Sequence, residues 1–233
     1  TFEEKELEDV KKFVTILHNS FQFANLYLEI DYASVEKKSS GKMPMEDEWL
    51  LSKTNSLLLN GLKHYNSYEY FKIVPLIEQF VMDDLSRTYI KLVRDRVGTS
   101  SQKSLEHQFG FALLSVLKLL APLMPHLSEH YFQAVKTQKM AESVHLLAFL
   151  DSKETDSDLS LEKEFDLARE LVQTSLALRE EQKLRLRWPL KRMVIVTETG
   201  KKFSNTLDMI KTAANVKEVI EAKEEPAGEF AKK

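Results

Sequence analysis

The chain has 233 residues, of which 30% are charged and 43% hydrophobic, with six glycines, no cysteine and a formal net charge of −3. That balance suits a soluble globular chain able to bury a core, and the few glycines favour helix over a turn-rich β fold. Without cysteine, disulfides and thiolate metal sites are excluded, and a reducing, cytoplasmic setting fits. The longest apolar stretch, residues 111–124, falls short of the roughly 18–20 residues a membrane span needs. It reads as a core helix, and no membrane partner is expected. The chain starts at Thr1 and shows no signal peptide, which points to a piece cut from something larger.

In chain order, Val10, Phe13, Leu17, Phe21, Ala24 and Leu28 recur at steps of three and four and predict an amphipathic helix over 5–30. A polar loop, 36–44, precedes a second helix opened by Pro44 and the acidic run Glu46, Asp47 and Glu48, which suits its positive end. Its stripe is Leu50, Thr54, Leu57, Leu58 and Leu62. A third helix carries Ile73, Ile77, Phe80, Val81, Leu85, Tyr89 and Leu92, with Pro75 near its start, where proline is tolerated. After the loop 98–103, a fourth helix from Ser104 to Leu120 is apolar nearly all round and therefore central. Pro122 and Pro125 break it, and a short helix resumes through Tyr131.

Residues 143–150 read as extended, and DSKETDSD (151–158) as a solvated linker and domain boundary. Leu161, Phe165, Ala168, Leu171, Val172, Ser175 and Leu178 then mark a fifth long helix. Beyond it the period changes: 192–198 is β-branched and short, 207–215 helical and 216–222 strand-like. The expected fold is mainly α. A helical bundle over 1–150 is followed, after the linker, by a long helix plus a small β-α-β subdomain over 159–222. The charged tail 223–233 is expected to be disordered.

His126 to His130 matches the HxxEH zinc-protease pattern. A catalytic zinc needs a third protein ligand, none is marked out, and the segment reads as a capping helix. Residues 98–104 have a faint phosphate-loop look but lack the second glycine and follow a helix. His145 reads as a satisfied, half-buried histidine. No catalytic or metal residue is assigned.

The basic features carry more. Arg87, Lys91 and Arg94 share one helix face, where they either meet a ligand or pair with Asp83, Asp84 or Asp95. Between Lys183 and Lys202 there are seven cations against one anion, Glu198. A concentrated basic patch on an acidic chain suggests a polyanion docked at one place. Read as a strand, 184–188 puts Arg185 and Arg187 on one side and Leu184, Leu186 and Trp188 on the other, with Pro189 fixing the turn beyond. Guanidiniums for phosphates beside an aromatic for unstacked bases is an RNA-binding combination. Trp188 could instead be a core plug between bundle and β-α-β unit.

Several ordered segments then carry a family resemblance: EDEWLLSKTNSL (46–57), FVMDDLSRTYIKLVRDR (80–96), LAPLMPHLSEHYF (120–132), SVHL (143–146), ALREEQKLRLRWPLKRMVIV (177–196) and NVKEV (215–219). Over 5–222 the chain resembles the C-terminal anticodon-binding region of archaeal-like isoleucyl-tRNA synthetases. The proline-containing segment is shared with valine and leucine enzymes, while DDLSRTY, SVHL, LRWPLKR and NVKEV together favour isoleucine. Pro75, Val97-Gly98 and His126 depart from the family pattern.

The resemblance implies that catalysis lies elsewhere. The family's HIGH and KMSKS signatures and its editing domain are missing from the chain, so ATP and magnesium belong to a parent enzyme's catalytic domain and no cofactor is expected here. Its expected partners are an isoleucine-accepting tRNA and the catalytic and editing domains of the same parent. Phosphate contacts are expected from Arg87, Lys91, Arg94, Lys183, Lys191 and Arg192, with Arg185, Arg187 and Trp188 nearest the bases. The alternatives are a valine or leucine enzyme's domain, or a structural helical module with no RNA affinity.

Overall fold

The computed structural model describes residues 4–37, 43–148, 157–196, 203 and 205–222. The tail, most of the linker and the middle of the loop 36–44 lie outside the described residues. The chain divides into two compact units, residues 1–158 and 159–233.

The first unit is a helical bundle. Helix α1 is Glu4–Tyr27 and α2 is Met45–Asn66. A longer helical rod follows, made of α3 (Tyr70–Gln79), a π-helical stretch (Phe80–Tyr89), α4 (Ile90–Val93) and a 3₁₀ turn (Arg94–Arg96). Helix α5 is Gln102–Leu120 and α6 is Pro125–Val135, with Pro125 at its first turn, four residues longer than the sequence pattern suggests. Helix α5 is the axis, packed on α1, α2, α3 and α6 and buried on nearly every face. At its crossing with α2, Gly61 lets the backbones close: a Cβ there would lie 2.5 Å from Leu119 Cδ2.

The stripes predicted for α1 and α2 are buried except for half-buried Leu62, with two further adjustments. Val10 is 46% exposed, and Trp49, outside the predicted stripe, is fully buried. In the rod, Ile73, Ile77, Val81, Leu85 and Tyr89 are buried as the spacing demands, but Val93 takes the place expected of Leu92. The π-helical stretch explains this. Ile90 N–H bonds to Leu85 O, and Thr88 Oγ1 bonds to Asp83 O at 2.7 Å, both five residues back. A turn that closes on the fifth residue holds more than 3.6 residues, so the buried stripe advances by four. Residues 143–148 form no strand: Val144–Leu146 make a 3₁₀ turn between extended Ser143 and Leu147, and His145 is exposed rather than half-buried.

The second unit holds α7 (Leu159–Glu181), β1 (Met193–Val196), α8 (Leu207–Ala213) and β2 (Val219–Ala222). The strands are parallel, with Met193 opposite Val219 and Val196 opposite Ala222. Ala168, Ile195, Phe203 and Ile210 form its core, flanked by Leu171, Val172 and Met193. No described helix is long and apolar enough to cross a membrane.

Candidate nucleic-acid interface

The basic face of the first unit is set by the rod. Arg87, Lys91 and Arg94 are all exposed, at steps of four and three that keep them on one side. Arg87 pairs with Asp83 at 2.6 Å, with both side chains about half exposed. Such a surface pair contributes about 0–1 kcal/mol, so Arg87 can exchange Asp83 for a phosphate at little cost. No described carboxylate pairs with Lys91 or Arg94. Asp84, buried, faces Lys53 at 4.0 Å instead of the basic face.

Arg96 behaves differently, although it lies only two residues beyond Arg94. At three residues per turn, positions two apart in a 3₁₀ helix differ by about 240°, so Arg94 faces out while Arg96 faces α2. Its guanidinium makes two bonds to Asp47, 2.7 and 2.8 Å, one to Glu46 at 2.9 Å, and two to Ser101, at Oγ 3.2 Å and at the carbonyl 3.0 Å. Asp47 is fully buried and also accepts from Tyr89 Oη at 2.7 Å. Burial alone would lower the Arg96 value, but the bonds and charge of Asp47, then Glu46, outweigh it and the net shift is upward. Burial, then Asp47, raises Tyr89 well above an ordinary phenol. This lock ties the end of the basic rod to the first turn of α2. Sequence reasoning missed it, because 49 residues separate Asp47 from Arg96 and no local spacing links them.

In the second unit, the segment expected as a strand is a loop. Helix α7 ends with Lys183 in the left-handed region at φ 54°. Leu184 N–H bonds to Arg179 O at 2.8 Å and Lys183 N–H to Glu180 O at 2.9 Å, a Schellman motif that reverses the chain. A turn follows, closed by Trp188 N–H to Arg185 O at 3.0 Å. Pro189 offers no N–H to a ladder, and pairing resumes only at Leu190 against Val216. Cations and apolar residues are therefore not sorted onto opposite faces: Arg185, Leu186, Arg187 and Trp188 are all exposed. Trp188 is 51% exposed and lies outside the core of the second unit. Lys183, Lys191 and Arg192 are exposed as well, Arg192 sharing a 3.0 Å surface pair with Glu218.

The loop is anchored from beneath by Arg179, which the sequence reading left out of the site. Arg179 is 3% exposed and bonds to the carbonyls of Trp188 (3.0 Å), Ala214 (2.8 Å) and Asn215 (2.8 Å). Burial lowers its pKa. A signal did exist: Leu161, Phe165, Ala168 and Val172 continue at seven residues to Arg179, a charge on the buried stripe.

The HxxEH pattern is structural. Glu129 accepts from Gln133 Nε2 (2.5 Å), Ser143 Oγ (2.8 Å) and Val144 N–H (3.0 Å), so it holds the 143–146 turn. Among the described residues, no group of three or more His, Asp or Glu could hold a metal ion.

The helical bundle and the small parallel β-α-β unit that follows it in the chain each present exposed cations. The chain belongs to the anticodon-binding domain family of tRNA ligases, whose model matches residues 47–195 and so spans every candidate cation from Arg87 to Arg192. Over 97% of its length it is 31% identical to the isoleucine–tRNA ligase of Methanopyrus kandleri, of which it covers 22%. It is 32% identical to the isoleucine–tRNA ligases of Thermococcus kodakarensis and Pyrococcus abyssi, over 96% and 94% of its length, covering 22% and 21% of theirs. The chain thus spans about a fifth of the length of these relatives.

Proposed function

We propose that this chain is the anticodon-docking region of an isoleucine–tRNA ligase, holding tRNA while a catalytic domain outside it activates isoleucine with ATP and magnesium and charges the acceptor end. The observation that carries the reading is the exposed 183–192 segment, with five cations around an exposed Trp188. Phosphates, at about one charge per nucleotide, would be met by Lys183, Lys191 and Arg192 and, on the first unit, by Arg87, Lys91 and Arg94. Arg185, Arg187 and Trp188 offer two guanidinium planes and an indole, the surfaces on which unstacked loop bases rest. No cofactor has a role in this chain under that reading, its other partners are the catalytic and editing domains of the same parent, and its compartment is the cytoplasm.

The test is binding of the chain to isoleucine tRNA, with valine and leucine tRNAs as competitors, at two salt concentrations. Binding that prefers isoleucine tRNA and weakens steeply with salt, as counterion release requires, supports the proposal. Preference for valine or leucine tRNA reassigns the parent enzyme, and no binding at low salt refutes an RNA-docking role for the chain.

A further inference from the structure

A guanidinium sealed from water ordinarily has a carboxylate beside it, because an unpaired buried charge is costly. Arg179 has no carboxylate partner among the described residues. Among the described residues its bonds go only to main-chain oxygens, and its Nε has no partner there. The acceptors fall into two groups. Ala214 and Asn215 close the C-terminal end of α8, where unsatisfied carbonyls favour a cation. Trp188 O, with Arg185 O at the outer limit of 3.5 Å, belongs to the basic loop.

Asn215 completes the arrangement. It ends α8 at φ 48°, and its Nδ2 donates to Leu186 O at 2.6 Å. Its own carbonyl accepts from Leu190 N–H as well as from Arg179. Three of the four carbonyls of residues 185–188 are therefore drawn inward onto Arg179 and Asn215. The side chains of Arg185, Arg187 and Trp188 are left facing solvent.

We propose that Arg179 and Asn215 are positioning residues for RNA recognition. Neither touches the RNA; together they pre-set the 185–188 loop with both guanidiniums and the indole directed outward. A loop already ordered loses less freedom on binding than one that must be ordered by its ligand. The inference rests on the reading of this loop as an RNA contact.

Asn215→Gly is the sharpest probe. Glycine adopts a positive φ freely and keeps the carbonyl, so the change removes only the tether to Leu186. Arg179→Lys keeps the charge but replaces the planar fork, which reaches both groups of carbonyls, by a single ammonium. The 233-residue chain, both variants and Arg185→Ala would be titrated with an isoleucine-tRNA transcript across a salt series. Each would also be melted and quenched with acrylamide, which reports on Trp188 because Trp49 is fully buried.

Asn215→Gly is expected to melt at or above the parent, to change Trp188 quenching, and to bind RNA roughly three- to tenfold more weakly. Its salt slope should be unchanged, because every cation is still present. Arg185→Ala, which removes a base contact and not a phosphate contact, should weaken binding with that slope nearly unchanged. Parent-like affinity in Asn215→Gly with altered quenching overturns the positioning role, as does parent-like affinity in a folded Arg179→Lys. If Arg185→Ala weakens binding in that case, the RNA reading stands while positioning falls. If the parent chain shows no salt-dependent binding, both fall together.

Discussion

Replacing Arg96 by Met should cost the first unit about 3–5 kcal/mol, the loss expected when one partner of a buried ion pair is removed and the other stays charged and buried. Asp47 is fully buried, and the Arg96 side chain is only 14% exposed. The variant strips two bonds from the carboxylate and leaves it the bond from Tyr89 Oη, at the positive end of α2. Those remaining partners favour the lower end, near 3 kcal/mol. With a urea slope of about 2 kcal/mol/M, the midpoint should fall by roughly 1.5 M at unchanged slope. Trp49 fluorescence reports this unit, and a Trp188→Phe background silences the other indole. Asp47→Asn in the same background should also destabilise, and the double variant should lose well under the sum, with a coupling of about 2 kcal/mol. A loss below about 1 kcal/mol for Arg96→Met, or additivity of the two changes, would refute the reasoning that the lock holds the rod to α2.

Arg185→Ala and Arg187→Ala should each weaken tRNA binding while leaving the salt slope nearly unchanged, because they meet bases and not phosphates, read by filter binding at several salt concentrations; unchanged affinity for both removes the loop from the footprint. Gly61→Ala should destabilise by up to about 2 kcal/mol in a urea titration. The clash of its Cβ with fully buried Leu119, about 1–3 kcal/mol, exceeds the helix-propensity gain of up to about 1 kcal/mol. Burial works against ionised Glu129, but the bonds from Gln133, Ser143 and Val144 outweigh it and hold its carboxyl below the ordinary 4.5. Stability from a lowered carboxyl is fully present above the unfolded value and lost as pH falls through the folded one. The melting gap between the parent and Glu129→Gln should therefore be widest near neutral pH and close in acid; a gap that does not change with pH would contradict this.

The helices were legible because their burial is written locally. Stripes such as Phe13–Leu17–Phe21 or Ile73–Ile77–Val81 need only the 3.6-residue period to be read, and the β-branched residues near 193 and 219 announce a change of period. The exposed cations were legible for a related reason: a cluster of like charge cannot be buried without partners, so Arg185, Arg187 and Lys191 had to face water. Three features were decided only in the folded chain. The π-helical turn moved the buried position from Leu92 to Val93, because a few backbone bonds chose the fifth residue back over the fourth. Arg94 and Arg96 are neighbours of the same charge, yet a 3₁₀ turn sends one outward and the other to Asp47. Residues 184–188 alternate like a strand, but a strand needs a partner edge, and Arg179 and Asn215 take the carbonyls that a ladder would have used. The sequence alone determined most of the buried stripes and the exposed basic cluster, because those follow from single side chains and their spacing. Where the charges point was left to tertiary structure, because the groups that aim them lie tens of residues away.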